Sequence, residues 1–115
     1  MHIFLDMNEN REKKLKKLLA VEVSKALQDE VILPNGVFVT VMGVVLSPTL
    51  EHATILISIF PLNSSNDTFE RLNRKIYQIQ QVLNKRLNMR VIPKIRFEID
   101  TTEAEAEKIE RLLAA

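Results

Sequence analysis

The chain has 115 residues, 46% of them hydrophobic and 27% charged, with 16 Lys plus Arg, 15 Asp plus Glu and no cysteine. That length predicts one domain, residues 1–115, around one core, and the composition excludes a disordered chain. Without cysteine there is no disulfide framework, no thiolate metal site and no thiol nucleophile.

Met1 to Met7 include Asp6 and lack both a basic n-region and a long apolar run. This argues against a signal peptide or spanning helix, and a cytoplasmic protein is expected. Residues 9–30 read as a helix, because Leu15, Leu18, Leu19, Val23, Ala26 and Leu27 recur at three- and four-residue spacing. Asp6 with Glu9 suggests a capping box at its start. Arg11, Lys13, Lys14, Lys16 and Lys17 load its first half with cations. That end of the helix dipole disfavours them, which leaves solubility and an anionic partner as equal readings. Pro34-Asn35-Gly36 supplies turn chemistry.

From Val37 the period becomes two. Val37, Val39, Val41 and Val45 alternate with Phe38, Thr40, Met42 and Val44, which predicts a strand over 37–46. Gly43 inside it suggests a bulge or a close backbone approach. Ala53, Ile55, Ile57 and Ile59 mark one face of a second strand, 53–60. The short loop between the two favours an antiparallel hairpin. Asp67 or Thr68 can N-cap the next helix.

Residues 69–88 read as one long helix, with Leu72, Ile76, Ile79, Leu83 and Leu87 in one narrow arc. Arg71, Arg74, Lys75, Lys85 and Arg86 occupy a different side, shared with Gln78 and interrupted by Val82. Over residues 71–96 there are 8 basic side chains, completed by Arg90, Lys94 and Arg96, and no acid, although the whole chain nets only +1. Such segregation creates a local field that the net charge conceals, and a merely soluble helix usually mixes both signs. After Pro93, Ile95, Phe97 and Ile99 alternate with Lys94, Arg96 and Glu98 in a third strand, 94–100. Thr102 with Glu105 resembles a capping box for a short final helix that ends in Ile109, Leu112 and Leu113.

No catalytic constellation emerges. Gly36 and Gly43 stand alone, so there is no Gly-rich phosphate loop. His52 reads as a surface residue, Ser64-Ser65 lacks a basic partner, and the acidic tail Glu103, Glu105, Glu107 and Glu110 reads as a solvated face rather than a metal site. A non-enzymatic protein without cofactor, metal or small-molecule substrate is expected. Base-stacking aromatics are scarce: Phe38 and Phe97 read as sheet residues, and Tyr77 as a partly buried packing residue before a stacker. Nucleic acid would then be bound through phosphates and shape.

Three segments together carry a family resemblance. The stretch from Phe38-Val39-Thr40-Val41 through Val45-Leu46-Ser47-Pro48-Thr49-Leu50 to Ala53-Thr54-Ile55 resembles the strand-loop-strand signature of bacterial ribosome-binding factor A. Arg90-Val91-Ile92-Pro93-Lys94-Ile95-Arg96-Phe97-Glu98-Ile99-Asp100 resembles its third strand, and Ile109-Glu110-Arg111-Leu112-Leu113 its closing helix. Leu72-Asn73-Arg74 and Leu83-Asn84-Lys85-Arg86-Leu87 fit its long basic helix, with Thr49 replacing the usual loop Asp and Asn84 standing where Gly is common. The resemblance implies an α+β, K-homology-like fold of type II order, α-β-β-α-β plus a short terminal helix, with a three-stranded sheet and helices on one face. It also implies strand 37–46 in the middle, between 53–60 and 94–100. The family's helix pair usually carries an Ala-x-Gly kink. Here the positions read Lys75-Ile76-Tyr77, where nothing forces a break, so the helix is expected to run through or bend gently.

The implied function is a non-catalytic assembly factor for the free 30S subunit, binding 16S rRNA and serving late maturation and rRNA processing. It would be monomeric and would engage no membrane. Arg71, Arg74, Lys75, Lys85, Arg86, Arg90, Lys94 and Arg96 are the expected RNA-binding residues. The alternative is a small α+β protein-interaction or dimerisation module. A K-homology domain for single-stranded messages is disfavoured, since neither a Gly-x-x-Gly loop nor exposed aromatics are evident.

Overall fold

The computed structural model describes the backbone of residues 2–114 and the side chains of 9–102 and 108–114. In chain order it contains α1 (His2–Glu30), β1 (Phe38–Leu46), β2 (His52–Phe60), a 3-10 turn (Leu62–Ser64), α2 (Ser65–Arg74), α3 (Ile76–Arg86), β3 (Lys94–Ile99) and α4 (Thr102–Ala114). This is the expected α+β order with a three-stranded sheet. α1 begins earlier than residue 9, and the Asp6–Glu9 capping box falls on side chains outside the described residues, as does Glu105 of the second box. The start of α4 is instead held by Asp100, whose Oδ1 accepts from the Thr102 N–H at 2.9 Å and the Thr102 hydroxyl at 2.6 Å.

The core lies between the sheet and α1, α2 and α3. Leu19, Val23 and Ala26 of α1, Leu72 of α2, and Ile79 and Leu83 of α3 meet Ala53, Ile55 and Ile57 of β2 and Ile95 and Phe97 of β3, all of them buried. Of the expected core residues, Leu18 is 41% exposed, lying a turn-fraction away from the Leu15–Leu19–Val23 stripe, and Val37, Val39, Val41, Ile76 and Ile99 are only half-buried at the margin of the core.

The expected strand order is wrong. The sheet runs β1-β2-β3, with β1 antiparallel to β2 and β3 parallel to β2. Burial explains the placement. The helix-facing residues of β2 (Ala53, Ile55, Ile57 and Ile59) are all buried, whereas β1 buries only Val44. The most completely buried strand is the central one, and the crossover through α2 and α3 returns to the strand it left.

Gly43 marks a bulge rather than a close approach. Val41 pairs with Ile57 and Gly43 with Leu56, so Met42 is extra, and a Cβ on Gly43 would meet nothing nearer than Leu56 Cδ1 at 3.9 Å. Beyond the bulge the faces exchange: Val44 is buried and Val45 is 54% exposed, the reverse of the simple alternation. The turn before β1 is closed by the Val37 N–H donating to Pro34 O at 3.1 Å, with Gly36 at φ +84°, where a side chain would be strained.

The expected single helix is two. Lys75 has φ −99° and ψ 0°, and its N–H bonds Leu72 O at 3.0 Å, one residue short of the α spacing. No glycine is needed. The break lets α2 lie on β2 and β3 while α3 lies on α1 and β3, each with its own apolar stripe inward.

Leu83→Ala is expected to cost about 2–5 kcal/mol in urea denaturation, as a large-to-small core change. The bulge makes a sharper expectation. Val44→Thr buries a hydroxyl and should cost about 1–3 kcal/mol, whereas Val45→Thr should leave the midpoint within the scatter of surface changes, about 0.5 kcal/mol.

Candidate nucleic-acid interface

The eight cations expected to form one surface divide by what they touch. Arg71 Nη1 donates to Ile32 O at 3.0 Å, which ties α2 to the loop leaving α1. Arg86 reaches across to α1, its Nη2 3.1 Å from Asp29 Oδ2 and its Nη1 3.7 Å from Glu22 Oε2. Those acids sit two helical turns apart, so one guanidinium clamps α3 along α1. Arg96 donates from Nε to Thr54 Oγ1 at 3.1 Å and from Nη2 to Glu98 Oε2 at 3.3 Å. These three cations already have partners.

Arg74, Lys75, Lys85, Arg90 and Lys94 do not. All five are exposed, and none makes an ion pair or side-chain hydrogen bond among the described residues. Arg74 and Lys75 sit at the break between α2 and α3, Lys85 in the last turn of α3, Arg90 in the loop after it, and Lys94 at the first position of β3. Lys94, Arg96, His52 and Thr54, with Ile95, line a shallow cavity of 350 Å³. The basic set thus follows the path of the chain from the helix break to the start of β3, with Lys94, which alternates with buried Ile95, on the sheet face turned away from the helices.

Gln80 fixes that path, and the sequence reading missed it. Its Nε2 donates to Pro93 O at 3.2 Å and to Asn84 Oδ1 at 3.1 Å, while its Oε1 accepts from the Ile95 N–H at 2.9 Å. Only a side chain that both donates and accepts can bond the loop end and the strand start together. The signal was present: Gln80 falls in register with Ile76, Leu83 and Leu87, a polar residue on an apolar stripe.

Aromatic exposure also differs from expectation. Tyr77 is 70% exposed, two positions from Lys75, not partly buried. Phe38 and Phe60 oppose each other across β1 and β2 and are 63% and 64% exposed, so rings are available on the outer sheet face. Phe97 is buried. Among the described residues no cluster of three or more His, Cys, Asp or Glu could hold a metal ion, and no helix is long and apolar enough to cross a membrane.

A two-layer domain in which a broken helix pair links a hairpin to a parallel third strand is a K-homology-like domain, and the unpaired cations lie along that helix pair and the strand it leads to. The family model for ribosome-binding factor A matches residues 11–113, and the chain belongs to that family. Ribosome-binding factor A of Natranaerobius thermophilus is 34% identical over 108 residues, which cover 93% of this chain and 82% of the relative. A Thermotoga maritima protein described as a ribosome binding factor A, solved by NMR in solution, is 29% identical with a TM-score of 0.55, over 72% of this chain and 84% of its own. A homology model of the Thermus thermophilus ribosome binding factor A, as fitted into a cryo-EM map of a 30S complex, shares the fold at 22% identity and a TM-score of 0.54, over 72% and 92% of the two chains.

Gln80→Leu should expose the pairing groups of Pro93 and Ile95 and cost about 1–3 kcal/mol, visible in denaturation and in faster exchange of the Ile95 amide. At the other end of β3, the Thr102 hydroxyl and then the Thr102 N–H hold the Asp100 carboxyl below the usual carboxylate range. A lowered folded pKa contributes stability that is present above the unfolded value and lost as pH falls through the folded one. The helical signal of α4 should therefore persist down to about pH 4 and fade below it. Asp100→Asn should remove that acid step.

Proposed function

We propose that the chain is a non-catalytic ribosome assembly factor that binds the free 30S subunit through 16S rRNA and assists late small-subunit maturation and rRNA processing. Family membership supports the ribosomal partner, and the likeness to a relative fitted into a 30S complex agrees with it. The observation that carries RNA as the ligand is the set of five exposed cations without partners among the described residues, Arg74, Lys75, Lys85, Arg90 and Lys94. Phosphates are the natural ligands of such a path, since solvated cations neutralise them without first breaking an internal contact. Arg71, Arg86 and Arg96 join the surface only by sharing a guanidinium already bonded elsewhere. Tyr77, exposed beside the helix break, is placed to stack on an unpaired base. The protein works as a cytoplasmic monomer and needs no cofactor.

Co-sedimentation with purified 30S particles tests this. Lys75→Ala with Lys85→Ala should weaken binding and flatten its salt dependence by about 0.7–0.9 in log–log slope per lost phosphate contact. Arg86→Ala should act on stability, by about 1 kcal/mol or less for so exposed a pair, with a smaller change in salt slope. Unchanged binding of the folded lysine double variant, or a larger loss from Arg86→Ala at equal folding, would overturn the assignment.

A further inference from the structure

α1 carries a cluster of cations that the surface described above does not use. The helix begins at His2, so Arg11 to Lys17 lie well inside it, beyond the first turn where the helix dipole would oppose them. Every side chain from Glu9 to Lys14 is exposed, and Leu15 is the first among the described residues to enter the core. This stretch buries nothing, so its charges decide what it can do. They sort by spacing. Lys13 and Lys16 each follow a glutamate by four positions, Glu9 and Glu12, the order in which a helical Glu–Lys pair is favourable. Arg11, Lys14 and Lys17 have no acid three or four positions away on either side. They succeed one another at three-residue steps, a slanted row over about 9 Å of helix. All three are exposed and make no ion pair among the described residues. At about 100° per residue, Lys14 and Lys17 fall on the side opposite the buried Leu15–Leu19–Val23 stripe. That side continues through Val21, Lys25 and Gln28 without an acid.

We propose that the row Arg11, Lys14 and Lys17 is a second RNA-contacting surface, which lays the solvent side of α1 against the phosphates of double-helical RNA. Neighbouring like charges on one helix side repel one another, and an anionic partner relieves that repulsion. The charge complement is therefore phosphate, and the shape of the surface selects the duplex. Residues 10–28 contain no aromatic side chain and no histidine, so a single strand would find no ring to stack on. A straight cationic helix side suits a duplex, which is recognised by shape and by contacts to its phosphates and 2′-hydroxyls. An anionic membrane fits worse, because the apolar stripe of α1 is already spent on the core and none is left to enter a bilayer. For its source, ribosomal RNA, the proposal rests on the ribosomal reading above.

Two double variants that remove equal charge from neighbouring positions test it. Lys14→Gln with Lys17→Gln breaks the row, whereas Lys13→Gln with Lys16→Gln removes the two lysines that follow a glutamate. Glutamine keeps the helix propensity of lysine in both. In a titration with a short RNA duplex of mixed sequence, the first pair should weaken binding about tenfold or more. It should also flatten the log–log salt slope by about 1.4–1.8, for two lost phosphate contacts. The second pair should leave both nearly as in the native chain. The first pair should hold or raise the thermal midpoint, since like charges at this spacing repel, and the second should lower it slightly. Lost binding is then separated from lost folding by its sign. Equal losses from the two pairs would make the effect one of net charge and overturn the proposal, as would an unchanged titration. So would a loss confined to the single strand of the same sequence, or a tighter complex with a poly-glutamate peptide than with the duplex. Purified 30S particles should rank the two pairs in the same order, and another ranking would overturn ribosomal RNA as the source. If the native chain does not co-sediment with them, the ribosomal reading fails, and the duplex titration still decides α1.

Discussion

Ile55 and Ile57 of β2 are fully sealed between the sheet and the helices, and every other element is placed by what it does for them. β1 and β3 flank the strand that carries them, one antiparallel and one parallel, and Leu19, Val23, Leu72, Ile79 and Leu83 roof them. Each such side chain contributes about 1.5–3 kcal/mol by leaving water. The split at Lys75 serves the same core from two directions, with α2 laid on β2 and β3 and α3 on α1 and β3, so that Leu72 and Leu83 are both fully buried. The unpaired cations at Arg74 and Lys75 are a by-product of the same geometry, since they occupy the corner where the two helices meet.

Charge in this chain does two kinds of work that composition alone conflates. Arg71, Arg86 and Arg96 act inside the molecule, joining a helix to a loop, a helix to a helix and a strand to its neighbour. All three are arginines, and each uses the guanidinium to hold a partner across the fold or along its own strand. The five cations left in solvent include all three lysines of the set. This fits the general difference between a planar multi-donor group that holds fixed partners and a mobile point charge that suits diffuse phosphate neutralisation.

Much of the fold was legible in the sequence because periodicity reports burial. The helix at residues 9–30, the three strands and the arc from Leu72 to Leu87 all follow from spacing, and the family resemblance joined them into the right class. Four features were not legible. The strand order depends on which strand is buried most completely, a comparison among strands that no single motif contains. The break at Lys75 uses ordinary residues in an uncommon backbone conformation, so it leaves no glycine or proline as a mark. Among the site residues, the basic stretch was plain, yet which members were already engaged was not: Asp29 lies 57 positions from Arg86, and nothing local links them. The exposure of Tyr77 and Phe60 was likewise hidden, because an aromatic beside an apolar stripe reads as core until the stripe's width is known.

The bulge at Gly43 has a bearing on how β1 finds its place. Most of the strand is aliphatic and repetitive, and a sequence such as Val-Thr-Val-Met-Gly-Val-Val could slide by two residues along β2 while still presenting valines to the helices. A slide would carry the extra residue away from the point where Val41 faces Ile57 and Gly43 faces Leu56. The bulge therefore acts as an index mark on an otherwise ungraduated ruler, giving a monotonous strand one alignment with its neighbour.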